Sequence, residues 1–222
     1  MNIIKFLIPA VLRYKLRMLE KSIKYRWRKI IIQVPILFNR PLKIIVGAAL
    51  TYQKGWYSTN QQWLDISNPH NWDSVFKGKQ LITNILAEHV FEHLTDNDLK
   101  SALDLIYSHM KKNGTLRIAV PDGYNLDSSY LRNVGIKGIG PDAEDHKQLF
   151  NYDALKKILM RSGFKVSLIE GYRANGKLTL NSWNETHGHV RRSRQNKENM
   201  KSEFMWSYPD ENTSLIVDAI KL

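Results

Sequence analysis

Residues 81–121 read LITNILAEHVFEHLTDNDLKSALDLIYSHMKKNGTLRIAVP, and the succession of patterns within this stretch decides the fold. Leu81 to Leu86 is a short apolar run with the character of a strand. From about Asp96 the spacing of Leu99, Leu103 and Ile106 draws one helical face as far as Met110, and Thr95 precedes it as an N-cap. Lys111-Lys112-Asn113-Gly114 then reads as a basic last turn followed by the glycine that ends a helix. Thr115 to Val120 is a second apolar run, stopped by Pro121. Strand, helix and strand in this order make a parallel unit.

The same alternation continues in both directions. Upstream, Leu42 to Val46 reads as a strand ending in Gly47-Ala48-Ala49, and Trp56 to Thr59 as a second, shorter one. Leu64-Asp65-Ile66 places a carboxylate after an apolar residue at a further strand end. Downstream, Tyr152 to Arg161 carries Leu155, Ile158 and Leu159 on one helical face and stops at Gly163, and the strands Lys165 to Ile169 and Ser214 to Ile220 complete the pattern. This predicts a largely parallel sheet covered on both faces, with ligands at the carboxyl ends of its strands.

Composition narrows the function classes. The 222 residues are 43% apolar, enough for a substantial core. Cysteine is absent, which excludes disulfides, thiol nucleophiles and cysteine-ligated zinc, and suits a reducing cytoplasm. No run approaches the roughly 18 apolar residues of a membrane span, and the N-terminal apolar stretch lacks a small-residue cleavage site, so neither a span nor a signal peptide is expected. The net charge of +12 is concentrated: residues 1–43 hold 11 of the 33 basic residues and one of the 21 acidic ones, leaving 22 against 20 in the rest. A nearly neutral remainder has no basic track for nucleic acid, so nucleic acid is not expected as a partner.

Within the basic segment, Leu12, Leu16, Leu19, Ile23, Trp27 and Ile30 form one helical stripe, flanked by a row of Arg13, Arg17, Lys21, Lys24 and Arg28. Two readings fit. The segment of residues 11–32 lies in an anionic membrane interface at the inner face of the cytoplasmic membrane, or its apolar stripe docks on the domain with the basic face solvated.

The densest chemistry is Ala87-Glu88-His89-Val90-Phe91-Glu92-His93-Leu94. Its H-x-x-E-H core matches an inverted zinc peptidase pattern. The pattern follows a strand directly and no strong third ligand is evident, so no metal centre is expected, and His89 and Glu92 are assigned to the strand end.

Taken in order, the features from Lys43 to Leu222 resemble the class I S-adenosylmethionine-dependent methyltransferases, in particular small members associated with surface-polysaccharide gene clusters. The resemblance rests on Ile44-Ile45-Val46-Gly47-Ala48-Ala49, Gly55 to Asn60, Leu64-Asp65-Ile66, Ala87 to Leu94, Met110 to Asp122, Asp145-His146-Lys147, Ser162-Gly163-Phe164 and Ser214 to Ala219. It implies a Rossmann-like, seven-stranded, mostly parallel sheet with helices on both faces and an antiparallel final strand. Residues 1–40 form a basic amphipathic extension and residues 41–222 the catalytic domain. S-Adenosylmethionine is the implied cofactor, against the Gly47, Ala48 and Ala49 turn, with Asn60 at its ribose, Asp65 and Ile66 at its adenine, and Glu88 and His89 at its methionyl part.

The activity implied is O-methylation of a saccharide or glycan precursor. His146 is the first candidate for the base, because imidazole titrates near neutrality and Asp142, Glu144 and Asp145 stand beside it in sequence. Asp122 is the second catalytic candidate, and Tyr124 and Asp145 are candidate acceptor contacts. Two positions depart from the family pattern, Ala49 where a second glycine is usual and Asn60 where an acid is usual. The alternatives are an RNA or other small-molecule methyltransferase, or a degenerate member serving as a membrane-associated scaffold.

Overall fold

The computed structural model describes residues 10–49, 51–195 and 214–222; within these, the side chains of residues 10, 11, 13–17 and 21 lie outside what it describes. Its elements are α1 (Ala10–Ile31), α2 (Gln33–Leu37), β1 (Leu42–Val46), β2 (Tyr57–Ser58), α3 (Pro69–Phe76), β3 (Ile82–Glu88), α4 (Asp96–His109), β4 (Met110–Pro121), α5 (Ser128–Val134), α6 (Tyr152–Arg161), β5 (Phe164–Tyr172), β6 (Leu178–Leu180) and β7 (Ser214–Lys221). The seven strands form one sheet in the order β2-β1-β3-β4-β7-β5-β6. β1 pairs in parallel with β2 and β3, and β3 with β4, whereas β7 runs antiparallel between β4 and β5. The final strand is therefore antiparallel in an otherwise largely parallel, Rossmann-like sheet.

Alternation along the strands sorts the core onto two faces. Ile44 and Val46, Ile85 and Ala87, and Ile118 and Val120 join the larger cluster with Trp72, Phe76, Leu103, Ile106 and Leu155 from α3, α4 and α6. Ile45, Leu86, Ala119 and Ile216 point to the other face, where Trp56, Val190 and Trp183 cover them. Apart from Trp56, that second cover is the segment from Asn181 to Gln195. It is fastened by Arg117, whose Nη1 donates to the carbonyls of Gly188 (2.6 Å) and Asn184 (3.1 Å).

Two local expectations change. Leu64-Asp65-Ile66 is not a strand end but a turn leading into α3, and the hairpin β5–β6 provides the sheet's outer strand instead. Lys111 to Gly114 does not close a helix. α4 ends at His109, and Met110 already pairs with Ile82; the irregular register between Ile82 and Asn84 absorbs the extra residues. A Cβ on Gly114 would stand 2.9 Å from the Lys111 carbonyl oxygen, so close backbone approach explains this glycine. Thr95 does cap α4, accepting from the Asp98 amide.

Among the described residues, nothing covers the apolar stripe of α1. Trp27 and Ile30 are 59% and 58% exposed, and Leu12, Leu19 and Ile23 are exposed with them. The exposed apolar residues continue through Ile31, Val34, Leu37 and Phe38. The opposite side of the same segment is built into the domain: Tyr25, Ile32 and Ile36 belong to the main core, and Arg28 Nη1 donates to the Ala49 carbonyl at 2.7 Å.

Candidate active site at the strand ends

Parallel strands deliver their last residues to one edge, and the strand order changes direction between β1 and β3, where open α/β sheets form a crevice. Gly47 leaves β1 with φ +58°, and a Cβ there would lie 2.6 Å from Val90 Cγ2. Left-handed backbone favours glycine, and the contact with Val90 leaves no room for a Cβ unless Val90 moves. Ala48 is buried and donates from its amide to the Thr59 carbonyl (2.9 Å), while Ala49 also takes a positive φ of 45°. The end of β2 is thereby laid against the turn after β1.

Asn60 follows at once. It is 3% exposed, and its Nδ2 has no hydrogen-bond partner. An unpaired buried donor is costly, and it stands where the resemblance puts a ribose. Asp65 is half-buried and accepts from the amide (3.0 Å) and hydroxyl (2.8 Å) of Ser67, both at Oδ1. Ile66 is buried, with its carbonyl accepting from Trp72 Nε1 at 3.0 Å.

Beyond β3 the chain turns sharply. His89 has φ +53° and donates its amide to Ala119 (2.8 Å), which turns Phe91–His93 back over the strand end. Its Nδ1 lies 2.9 Å from Glu92 Oε1 and its Nε2 3.1 Å from the Ser214 hydroxyl. Glu92 is fully buried. Burial opposes its ionisation, but the imidazoles of His89 and His93 outweigh that and hold its carboxyl below the ordinary value. Glu88, by contrast, faces the covering segment and accepts the amides of Arg191 (3.2 Å) and Arg192 (2.9 Å).

The loop after α5 closes over Glu92. The amides of Lys147 and Gln148 donate to its carbonyl at 2.8 and 3.1 Å, which brings His146 into the group. His146 is 6% exposed, and its Nδ1 stands 2.7 Å from the Val134 carbonyl. A carbonyl only accepts, so Nδ1 carries the proton and the lone pair is at Nε2. The three acids adjacent in sequence do not serve His146. Asp145 Oδ2 faces His93 Nδ1 at 3.3 Å, because the short turn Ala143–Asp145 points its last side chain across the loop. The His93 and His146 rings meet edge to face at 4.8 Å.

Asp122 and Tyr124 are engaged by other parts of the chain. Asp122 is completely buried, and its carboxylate receives the amides of Tyr124 (3.1 Å) and Tyr172 (2.8 Å), so it ties the end of β4 to β5. Burial pushes its pKa up, against those two amides. The Tyr124 hydroxyl donates to Asp153 at 3.0 Å on the outside of α6. The surface concavity along Asp153, Lys156, Lys157, Met160 and Arg161 belongs to that same helix, and no strand-end residue lines it.

The sequence reading missed Glu170. It is fully buried and accepts from the Ser193 hydroxyl (2.7 Å) and from Arg194 Nη1 (3.0 Å) and amide (2.8 Å). A carboxylate inside an apolar strand run was the available signal.

The strand order, the glycine turn after β1 and the polar residues at successive strand ends make this an α/β fold of the Rossmann-like kind. The profile of a family described as a methyltransferase domain matches residues 42–168, and the chain belongs to that family. It is similar to a SAM-dependent methyltransferase from Archaeoglobus fulgidus, with 19% identity over 89% of this chain and 96% of that one and a TM-score of 0.47. It is similar also to the 1,6-didemethyltoxoflavin-N1-methyltransferase of Burkholderia thailandensis, with 13% identity over 96% and 88% of the two chains and a TM-score of 0.43. Magnesium protoporphyrin IX methyltransferase from Synechocystis PCC 6803 gives 11% identity over 97% and 89%, and a TM-score of 0.42. No curated protein matches the chain.

Proposed function

We propose that this protein is an S-adenosylmethionine-dependent O-methyltransferase acting on a hydroxyl of a saccharide or glycan precursor at an anionic membrane face. The observation that carries the cofactor assignment is the unpaired, buried Asn60 amide at the end of β2, beside a turn that favours glycine. The residues present suit the cofactor. Gly47 permits close backbone approach, Asn60 is at the ribose, and Asp65 keeps Oδ2 for the adenine amino group while Oδ1 holds Ser67. Glu88 is engaged by the Arg191 and Arg192 amides, so it acts on this site by fixing the covering segment.

The cofactor supplies a methyl group already activated on a sulfonium. The protein's task is to align the acceptor oxygen and remove its proton. His146 is the proton acceptor, since its Nδ1–H is held by Val134 and its lone pair is at Nε2. The acceptor class follows the motif resemblance, and the membrane placement follows the exposed apolar stripe of α1 within a segment of 11 basic residues and one acidic. A lipid-linked glycan precursor meets both conditions. The RNA-methylating alternative lacks a basic track, with 22 basic against 20 acidic residues after residue 43.

The test is transfer of labelled methyl from S-adenosylmethionine to lipid-linked glycans and, in parallel, to RNA. Label in an alkali-stable methyl ether of the glycan supports the reading. Label in RNA alone overturns the acceptor assignment. His146→Ala is expected to lower turnover by roughly 10²–10⁴-fold with cofactor affinity unchanged.

A further inference from the structure

The H-x-x-E-H stretch lacked a third ligand in the sequence, and the fold supplies one. Glu92, His93 and His146 each present a ligand-type atom within 4.8 Å of the other two. Glu92 is completely buried, and neither carboxylate oxygen has a hydrogen-bond partner. His89 Nδ1 stands 2.9 Å from Oε1 as an ion pair, which leaves Oε2 with no partner at all. Buried carboxylates are otherwise paired by directed bonds or coordinate a metal.

The two imidazoles are oriented as ligands are. His146 Nδ1 faces the Val134 carbonyl at 2.7 Å, and His93 Nδ1 faces the Asp145 carboxylate at 3.3 Å. In each ring the second nitrogen keeps the lone pair. A ring N–H held by a carbonyl or carboxylate is the usual outer support of a metal-bound histidine. His89 is not part of the set, because both its ring nitrogens are engaged by Glu92 and Ser214. This differs from the inverted-peptidase pattern, where both histidines of the pentapeptide bind and the glutamate activates water.

We propose that Glu92, His93 and His146 bind one first-row divalent cation at the acceptor side of the strand ends. Two imidazoles with one carboxylate favour a cation of the zinc, cobalt or manganese kind over magnesium or calcium, which prefer oxygen ligands. Three protein ligands leave a position open, as in catalytic sites. The cation's role toward an acceptor hydroxyl rests on the methyltransferase reading; its binding does not. The His146 lone pair accepts the acceptor's proton in the metal-free protein and holds the cation when one is bound, so the two roles belong to two states of the protein.

The experiment uses the full, untagged chain, stripped with chelator and titrated with Co²⁺ by visible absorption and with Zn²⁺ by calorimetry. One equivalent of each is expected, with Zn²⁺ displacing Co²⁺. Glu92→Gln, His93→Ala and His146→Ala should each weaken binding by more than the roughly 10–100-fold of an outer-support change, and Asp145→Asn by about that amount. Asp145 is largely exposed, so this variant tests the site without disturbing the core. Absence of saturable binding, or binding indifferent to His93→Ala and Asp145→Asn in folded protein, overturns the proposal. S-Adenosylhomocysteine is titrated separately into the same samples. Its binding without metal binding defeats only the metal site and leaves His146 as the base, whereas metal binding without it defeats only the cofactor reading.

Discussion

Arg117 and Asp218 stand opposite each other across the β4–β7 pair, and two hydrogen bonds of 2.7 Å join guanidinium to carboxylate inside the protein. The same guanidinium holds Gly188 and Asn184, and His187 Nδ1 adds a contact to Asp218 at 2.9 Å. One ion pair therefore fixes both a strand register and the cover over one sheet face. Removing one partner strands the other's charge. Asp218→Ala is expected to lower stability by about 3–5 kcal/mol, and an apolar pair at both positions to recover most of the loss. Urea unfolding measures both, and a loss under about 1 kcal/mol, as for an exposed pair, contradicts the arrangement.

Gly47 combines a φ of +58° with a prospective Cβ contact of 2.6 Å to Val90. Gly47→Ala should cost about 1–2 kcal/mol for the left-handed backbone alone, with the Val90 clash added to it. Adding Val90→Ala should relieve the clash and leave the backbone cost. Thermal unfolding of the single and double variants checks this, and full recovery in the double variant would show that the backbone strain is absent.

Asp122 makes stability depend on pH with a definite sign. Burial raises its pKa in the folded protein, so the folded state binds this proton more tightly than the unfolded one. The stability it contributes is complete below the ordinary aspartate range, near pH 4, and is lost as pH rises through the raised folded value. Asp122→Asn leaves one of two amides without an acceptor, for a loss of about 1–3 kcal/mol. The stability gap between wild type and this variant should narrow with rising pH in urea titrations; a gap that widens contradicts the buried carboxyl.

The exposed stripe of α1 predicts co-sedimentation with vesicles containing anionic lipid, much less with neutral ones, and release by salt. Each basic residue at such a surface contributes about 1 kcal/mol. Trp27→Asp with Ile30→Asp should abolish the association while changing folding stability by less than about 0.5 kcal/mol per site, because both side chains are exposed. A large loss of stability would instead place the stripe against protein. Deleting residues 1–40 is a poor test, since Tyr25, Ile32 and Ile36 belong to the core.

Most of the fold was legible because period and punctuation are local. Thr95 and Gly163 mark helix ends, and Leu42 to Val46 and Ser214 to Ile220 declare themselves as strands. What failed was set by distant contacts. Lys111 to Gly114 has the composition of a helix end, but pairing of Met110 with Ile82 draws it into β4. The amide partner that Asp122 finds in Tyr172, fifty residues away, is equally invisible to a local pattern. Tyr25 and Trp27 are both aromatic members of one helix, and only tertiary packing separates the buried one from the exposed one. The meeting of Glu92 with His146 likewise depends on the fold bringing a later loop over the end of β3.

If the ends of β1 and β2 hold S-adenosylmethionine, as proposed, isothermal calorimetry of the full chain with S-adenosylhomocysteine will register it. One site per chain is expected, with Asp65→Ala weakening it by about 1.5–3 kcal/mol, as for a hydrogen bond to a charged group, and Asn60→Asp tightening it. No heat at millimolar ligand, or binding untouched by either substitution, would contradict the account.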